Sequence, residues 1–189
     1  MSEPTPPTRV DFISLDEFPA VFSSILDDDF CGLMVKCCVF TLNRLNHSSG
    51  ILLKSNTGKG NLFMQPVRLD WKMPVTKQMK NTFQDENRTT DFAAMCVSLH
   101  LVQLLTDYRY VFPSRLGSGV DFWLTNDETG LTWDARLEVS GIKKETTANT
   151  IPRRVRDKRK QVEKSIVLQK SAYIAVVEFS NPEAIFLKQ

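Results

Sequence analysis

The segment at residues 172–179 limits the possible folds more than any other part of the chain. All of its residues except Glu178 are apolar, so an extended segment here is apolar on both faces. A strand of this kind lies inside a sheet that is covered on both sides. The sequence therefore predicts an α/β fold of the α+β type, built on a mixed sheet with helices against it.

The length and composition allow one core with an appended subdomain. The chain has 189 residues, of which 42% are hydrophobic and 24% charged, which is typical of globular proteins. Residues 1–9 are rich in proline and threonine and are predicted to be a disordered tail. Residues 10–85 are predicted to form an N-terminal α+β elaboration, and residues 86–189 a core. Residues 10–85 contain no motif that indicates a chemistry.

Targeting features indicate a cytoplasmic protein without a membrane partner. The N-terminus lacks a basic region followed by an apolar stretch, which a secretory signal needs. The most apolar window, residues 31–42, contains Lys36 and is shorter than the roughly 20 residues of a membrane span. The cysteines lie in apolar runs without a metal-ligand spacing, so buried, reduced thiols are expected rather than a zinc site. They are Cys31, Cys37, Cys38 and Cys96.

Basic residues are concentrated in one segment. The whole chain carries +2, whereas residues 143–170 hold ten basic and three acidic side chains, or 10 − 3 = +7, which leaves 2 − 7 = −5 elsewhere. Much of this charge falls on a helix predicted from Pro152 to about Val167. Such an asymmetry indicates an anionic partner, DNA or RNA, although a solvated helix face would look the same. The candidate nucleic-acid contacts are Arg153, Arg154, Arg156, Lys158, Arg159 and Lys160.

Two acidic residues occupy neighbouring predicted strands. A long apolar helix at residues 90–108 is followed by three predicted strands, the basic helix and the strand at 172–179. Asp121 falls on the second strand and Glu138 on the third. Adjacent strands can bring two carboxylates to one metal ion, and magnesium typically takes one or two carboxylates with water and phosphate oxygens.

These segments together resemble the restriction-endonuclease-like, PD-(D/E)xK, fold. The residues that carry the resemblance are GVDF at 119–122, ARLEVSG at 135–141 and YIAVVEF at 173–179, and the ARLEVSG run is similar to one in a group of uncharacterised bacterial proteins. The resemblance spans roughly residues 86–189. It implies a nuclease that uses Mg²⁺ or Mn²⁺, with Asp121 as the first metal-binding aspartate and Glu138 as the second acidic ligand.

The chain departs from the motif at two positions. Val120 replaces the proline, and Ser140 stands where the motif has a lysine that orients the attacking water. Arg136 shares a strand face with Glu138 and is a candidate for the missing charge, although a group that stays protonated supplies electrostatics only. Lys143 is the second candidate for the catalytic set, and Lys144 and Lys158, on nearby segments, are further candidates for the missing charge.

Each acidic or titratable residue also has a structural interpretation. In this interpretation Asp121 only satisfies backbone donors, and Glu138 forms a surface salt bridge with Arg136. Asp91 favours the dipole of the long helix, or is a third site acid. Glu178 is expected to be structural, and His100 to be a core histidine.

At the level of the whole protein, two alternatives to a nuclease remain. One is a non-catalytic interaction module of a bacterial complex, for example in phage defence, whose basic helix docks an acidic protein partner. The other is a sequence-neutral nucleic-acid binder without catalysis.

Overall fold

Eight strands form one mixed sheet in the computed structural model of the chain, which describes residues 12–22, 24–115, 120–164 and 170–189. Their order across the sheet is β1-β3-β2-β8-β7-β6-β5-β4. The pairs β1–β3, β2–β8 and β6–β7 are parallel and the others antiparallel. The strands are β1 (Phe12–Ser14), β2 (Ile51–Ser55), β3 (Val67–Asp70), β4 (Tyr110–Pro113), β5 (Phe122–Thr125), β6 (Ala135–Ile142), β7 (Ser171–Glu178) and β8 (Glu183–Lys188).

Five α-helices accompany this sheet in the described residues. They are α1 (Phe18–Phe22), α2 (Asp28–Arg44), α3 (Lys77–Thr82), α4 (Glu86–Leu105) and α5 (Ile151–Lys164). Helices α2 and α4 pack together on one face of the sheet, and α5 covers the other. The predicted mixed α/β class is confirmed.

Strand β7 is buried on both faces, as its composition predicts. Tyr173 and Ala175 belong to the larger core, which includes α2 and α4. Ile174 and Val176 pack in a second core against the apolar stripe of α5. Because helices cover both faces, neither set of side chains is left in water.

Helix α2 occupies an apolar segment, residues 30–45, whose hydrophobic spacing fits neither a helix nor a strand clearly. Asp27 begins the helix: its side chain accepts hydrogen bonds from the backbone N–H groups of Asp29 and Phe30 at 2.9 and 3.2 Å. This N-cap satisfies donors that have no partner inside the helix. The four cysteines of α2 and α4 are buried and form no disulfide bonds, as expected.

The N-terminal half continues the same sheet. Strand β2 runs parallel to β8, with Lys54 opposite Glu183, and β3 and β1 follow outside it. The composition of residues 55–61 predicts a hairpin loop that leads into a strand at residues 62–64. This prediction is wrong, because the Asn61 side chain holds the loop through bonds to Asn56 O (2.8 Å) and Phe63 O (2.9 Å). The strand that the sequence predicts after Pro66, at residues 67–71, is confirmed as β3, which pairs antiparallel with β2.

Two sequence predictions fall on other parts of the chain. The predicted disordered tail at residues 1–9 and the predicted helix end near Val167 lie outside the described residues. Within the described helices, no segment is long and apolar enough to cross a membrane.

Candidate active site

The site is built where β5 begins beside β6. The Asp121 N–H donates to Leu137 O at 3.1 Å, and Phe122 opposite Leu137 is the first residue of the paired strand. The Asp121 side chain makes the next contact with β6, because its Oδ2 accepts a hydrogen bond from the Val139 N–H at 2.7 Å. Asp121 therefore satisfies a backbone donor, which is the structural interpretation considered from the sequence. The same bond fixes its carboxylate beside the start of β5.

Lys158 of α5 joins the two predicted acidic residues. Its Nζ lies 2.7 Å from Glu138 Oε2 and 3.6 Å from Asp121 Oδ2. The side chains are 17% exposed for Lys158, 3% for Glu138 and 29% for Asp121, so the group runs from the protein interior to an open cleft. The alternative of a surface pair between Glu138 and Arg136 is wrong, because Glu138 is buried and its ion-pair partner is Lys158.

Burial dominates the electrostatics of Glu138. Desolvation raises the pKa of its carboxyl group, and the negative charge of Asp121 raises it further. The hydrogen bond and positive charge of Lys158 oppose this shift without cancelling it, with a smaller contribution from Arg136. The carboxylate is therefore placed where additional positive charge is favourable.

Asp91 of α4 lies close enough to this group to interact with it. Desolvation raises the pKa of Asp91 although the side chain keeps an exposed edge, and Arg154 and Lys158 oppose the shift. The charge of Asp121 acts in the same direction as desolvation, and the backbone N–H of Gly141 donates a hydrogen bond to the Asp91 carboxylate. Asp91 is thus coupled to the predicted site.

A close crossing of α4 over β6 brings Asp91 to this position. A Cβ atom on Gly141 would lie 2.6 Å from the carbonyl oxygen of Thr90, which is far inside van der Waals contact. The glycine of the ARLEVSG run therefore permits the helix backbone to approach the strand.

Helix α5 divides the predicted nucleic-acid contacts between two faces. Residues Arg154, Lys158 and Gln161, at i, i+4 and i+7, share one edge of the helix. Lys158 and Gln161 line the cleft beside Asp121, and Arg154 lines an adjoining polar cavity. The remaining members of the predicted set are exposed to solvent: Arg153, Arg156, Arg159 and Lys160.

The structure does not bring the other two predicted catalytic residues into contact with the carboxylate pair. Arg136 is buried, and its Nη2 donates to Val162 O at 3.1 Å, which ties α5 to β6. Lys143 lies past the end of β6, where its Nζ pairs with Glu86 at 2.7 Å. Lys158, which the sequence offered both as a nucleic-acid contact and as a candidate for the missing charge, is the lysine that contacts the carboxylates.

Apolar side chains line the same cleft as the charged group. The cleft has a volume of about 540 Å³, and Phe30 of α2 with Phe92 and Met95 of α4 form part of its lining. Sequence reasoning missed these three residues, because they read as core positions of their helices. Nothing in the local sequence indicates that Phe30 lies near Asp121.

The donor set fits a hard cation better than a soft one. Asp121 and Glu138 present oxygen atoms to one ammonium group, so both carboxylates already converge on a positive charge. Among the described residues, no three histidine, cysteine, aspartate or glutamate side chains are grouped as a metal centre. Two carboxylates meet the requirement of magnesium, which usually keeps several waters, but not that of a structural zinc site.

Comparison with known proteins gives no relative from which to transfer a function. No family model matches the chain, and no curated protein or solved structure matches it. The resemblance to the restriction-endonuclease-like fold therefore rests on the residues and the element order described above.

Proposed function

We propose that the chain is a metal-dependent nuclease with a restriction-endonuclease-like core, in which Lys158 replaces the motif lysine lost at Ser140. The observation that carries this proposal is the contact of one lysine, Lys158, with both Glu138 (2.7 Å) and Asp121 (3.6 Å). The lysine reaches the carboxylates from α5 rather than from β6. The charge that the motif needs is thus supplied by a different element.

The order of elements around the site supports the same core. Helix α4 is followed by β4, β5 and β6, and α5 then crosses to β7, which lies parallel to β6. This is the order expected from the sequence resemblance. The site lies where β5 begins beside β6: Glu138 lies within β6, and Asp121 immediately precedes β5.

The proposed chemistry gives the two carboxylates and the lysine different roles. When bound, a Mg²⁺ or Mn²⁺ ion polarises a phosphoryl oxygen and makes an attacking water more acidic. Asp121 and Glu138 would hold that ion, and Val139 N–H keeps the Asp121 carboxylate in place before substrate arrives. Lys158 would move from the carboxylates to a phosphate oxygen and stabilise the charge that develops there.

Basic residues around the cleft would bind the rest of the nucleic-acid backbone. Arg115 lines the cleft itself, and Arg154 lines the polar cavity beside it. The solvent-exposed residues of α5 extend this positive surface. Contacts of this type recognise phosphates without reading sequence, and they weaken as salt is added.

A cleavage assay with isosteric variants tests the proposal. The wild type and an Asp121→Asn/Glu138→Gln variant are incubated with labelled DNA and RNA in Mg²⁺, Mn²⁺ or EDTA. We expect cleavage that requires metal and is lost in the variant. An Asp157→Asn/Glu163→Gln variant removes the same two charges from exposed positions of α5 and should cleave like the wild type.

The opposite result would favour the interaction-module alternative. If the wild type cleaves neither DNA nor RNA with either metal, the Lys158–Glu138 ion pair is structural. The positive surface of α5 would then be examined as a docking site for an acidic protein.

A further inference from the structure

We infer that the cleft receives one unpaired nucleotide, so the substrate is single-stranded nucleic acid rather than an intact duplex. This inference rests on the proposed function, because the phosphate is taken to lie at Asp121, Glu138 and Lys158. It adds a role for the apolar part of the cleft lining, which includes Phe30, Phe92 and Met95.

These three residues offer aromatic and sulfur surface instead of charge. The rings of Phe30 and Phe92 lie 6.1 Å apart at an interplanar angle of 83°, an edge-to-face arrangement. Both rings and Met95 are half-buried. They pack against the core on one side and reach the cleft on the other, so part of their apolar surface remains available to a ligand.

The charged and apolar parts of the lining together match the two parts of a nucleotide. A base presents a flat apolar face, and proteins that bind single strands stack bases on aromatic side chains while basic groups follow the phosphates. Here the ammonium of Lys158 and the guanidinium of Arg115 lie in the same cleft as the two phenylalanines. A volume of about 540 Å³ is within the usual range for small-molecule sites.

A duplex does not offer its bases in this way. The faces of paired bases are covered by their neighbours, and an enzyme reaches them only after unstacking and flipping the nucleotide. A single strand avoids that cost. The apolar part of the lining therefore favours substrates whose bases are already unpaired.

The inference also gives the N-terminal half a part in the site. Phe30 lies in the first turn of α2, where its N–H donates to the Asp27 cap at 3.2 Å. The cap and the packing of α2 on α4 hold the ring beside Phe92. Residues from both halves of the chain thus line one cleft.

Paired cleavage and binding assays on leucine variants test this inference. The probes are fluorescein-labelled dT12, U12 and a dT12·dA12 duplex; initial cleavage rates are measured in Mn²⁺, and binding by fluorescence anisotropy in EDTA. The variants are Phe30→Leu/Phe92→Leu, which keeps apolar bulk but removes aromatic faces, and Phe30→Ala/Phe92→Ala. Phe12→Leu is the control, because Phe12 is 58% exposed on β1 and does not line the cleft.

We expect the wild type to cleave the single strands at least about 10-fold faster than the duplex. The leucine variant should lose about 10-fold in rate and in affinity for single strands, within the range seen when one stacking residue is removed. Phe12→Leu should behave like the wild type. Thermal melts establish that the leucine variant is folded even if the alanine variant is not.

The outcomes separate this inference from the proposed function. Equal cleavage of duplex and single strands, or a folded leucine variant with wild-type rate and affinity, would overturn the inference and leave the nuclease intact. If nothing is cleaved but single strands bind in a manner that depends on Phe30 and Phe92, the cleft assignment stands and the nuclease fails. Absence of both cleavage and binding overturns both.

Discussion

Glu138 is a buried carboxylate, and Lys158 is the residue that stabilises it there. A buried charge is strongly unfavourable unless a partner compensates it. The partner here reaches the carboxylate at 2.7 Å. The same burial raises the pKa of Glu138. Glu138 therefore needs a nearby positive charge to remain ionised, and it also lines the cleft.

Replacement of Lys158 should destabilise the protein, because Glu138 then loses its ion-pair partner. We expect Lys158→Met to lower the free energy of unfolding at pH 7 by about 1–3 kcal/mol, because a buried acceptor loses its partner. Urea unfolding measures the change. Lys160→Met, on the exposed face of α5, is the matched control and should change little; equal losses in the two variants would contradict the assignment.

The pH dependence of Lys158→Met follows from the raised pKa of Glu138. A carboxyl group with a raised folded pKa binds more protons in the folded than in the unfolded state. Stability therefore rises as pH falls from the raised value toward the ordinary one. Without Lys158 the pKa of Glu138 in the folded state should be raised further. The difference in unfolding free energy between the variant and the wild type should therefore shrink as pH falls. A difference that stays constant in urea titrations down to pH 4.5 would argue against a buried, ionised Glu138.

His100 should make folding sensitive to mild acid. The side chain is buried beside the rings of Phe18 and Phe22, with centroid distances of 5.1 and 6.3 Å, and burial lowers the pKa of His100 to about 4. Because the folded pKa lies below the unfolded value of about 6.5, the unfolded state binds the proton first. Stability is then lost as pH falls from about 6.5 to about 4, by up to about 3 kcal/mol.

A His100→Leu variant isolates this contribution. Its stability should fall less than that of the wild type over the same pH range, as measured by urea unfolding at several pH values. Parallel curves for the two proteins would show that His100 does not supply the acid sensitivity.

At the scale of elements, α4 packs so closely on β6 that one added methyl group should disturb the packing. Gly141→Ala places a Cβ 2.6 Å from Thr90 O, and we expect a loss of about 1–3 kcal/mol in unfolding free energy, typical of overpacking. It should also displace Asp91 from the site. Gly32→Ala in α2 is the control, since nothing lies within 4 Å of its added Cβ and alanine favours helix. A Gly141→Ala protein as stable as the wild type would contradict the close packing.

The outer face of α5 should control general affinity for nucleic acid without affecting the fold. An Arg153→Gln/Arg156→Gln/Lys160→Gln variant should bind dT12 more weakly and with a shallower salt dependence, by about 0.7 in log–log slope for each lost phosphate contact. Fluorescence anisotropy at several salt concentrations measures both quantities.

A second triple variant serves as the control for α5. Lys36, Lys77 and Lys80 are exposed on α2 and α3, and their replacement by glutamine removes the same charge elsewhere. If this control weakens binding as much as the α5 variant, net charge rather than the α5 surface determines affinity.

Sequence patterns predicted the elements that local chemistry determines. Period-2 alternation located β6 with Glu138 on it, and two-sided apolarity located β7. Asp121, predicted on the preceding strand, lies one residue before the start of β5. The position of Lys158 was also available, because it lies three residues after Val155 and four before Val162, within the apolar stripe of α5. Because basic residues are abundant in this region, Lys158 was only one of several candidates for the missing charge, beside Arg136, Lys143 and Lys144.

Other features depend on contacts between distant parts of the chain. The loop after β2 is held by Asn61, whose Oδ1 accepts the Phe186 N–H at 2.8 Å across 125 positions, so local turn signals wrongly suggested a hairpin. The placement of Phe30 beside Phe92 likewise depends on how α2 packs on α4. Helix and strand propensities are properties of the local sequence, so they do not predict contacts between distant segments.

At the scale of the whole molecule, one sheet links the two halves of the chain. Strands β1, β3 and β2 extend the sheet beyond β8, and α2 from the N-terminal half packs on α4 from the C-terminal half. The charged part of the cleft lining comes from residues after 86 and some of the apolar part from α2. Substrate recognition is therefore expected to depend on the whole chain.

The most direct test of the central claim is a double-mutant cycle on the ion pair. Single-turnover cleavage of dT12 in Mn²⁺ is measured for the wild type, Lys158→Met, Glu138→Gln and the double variant, each shown to be folded by circular dichroism. If Lys158 and Glu138 act as one unit, each single change should slow cleavage by at least about 100-fold, and the double variant should be no slower than either. Failure of the wild type to cleave with metal, or a folded Lys158→Met protein that cleaves at the wild-type rate, would contradict the account.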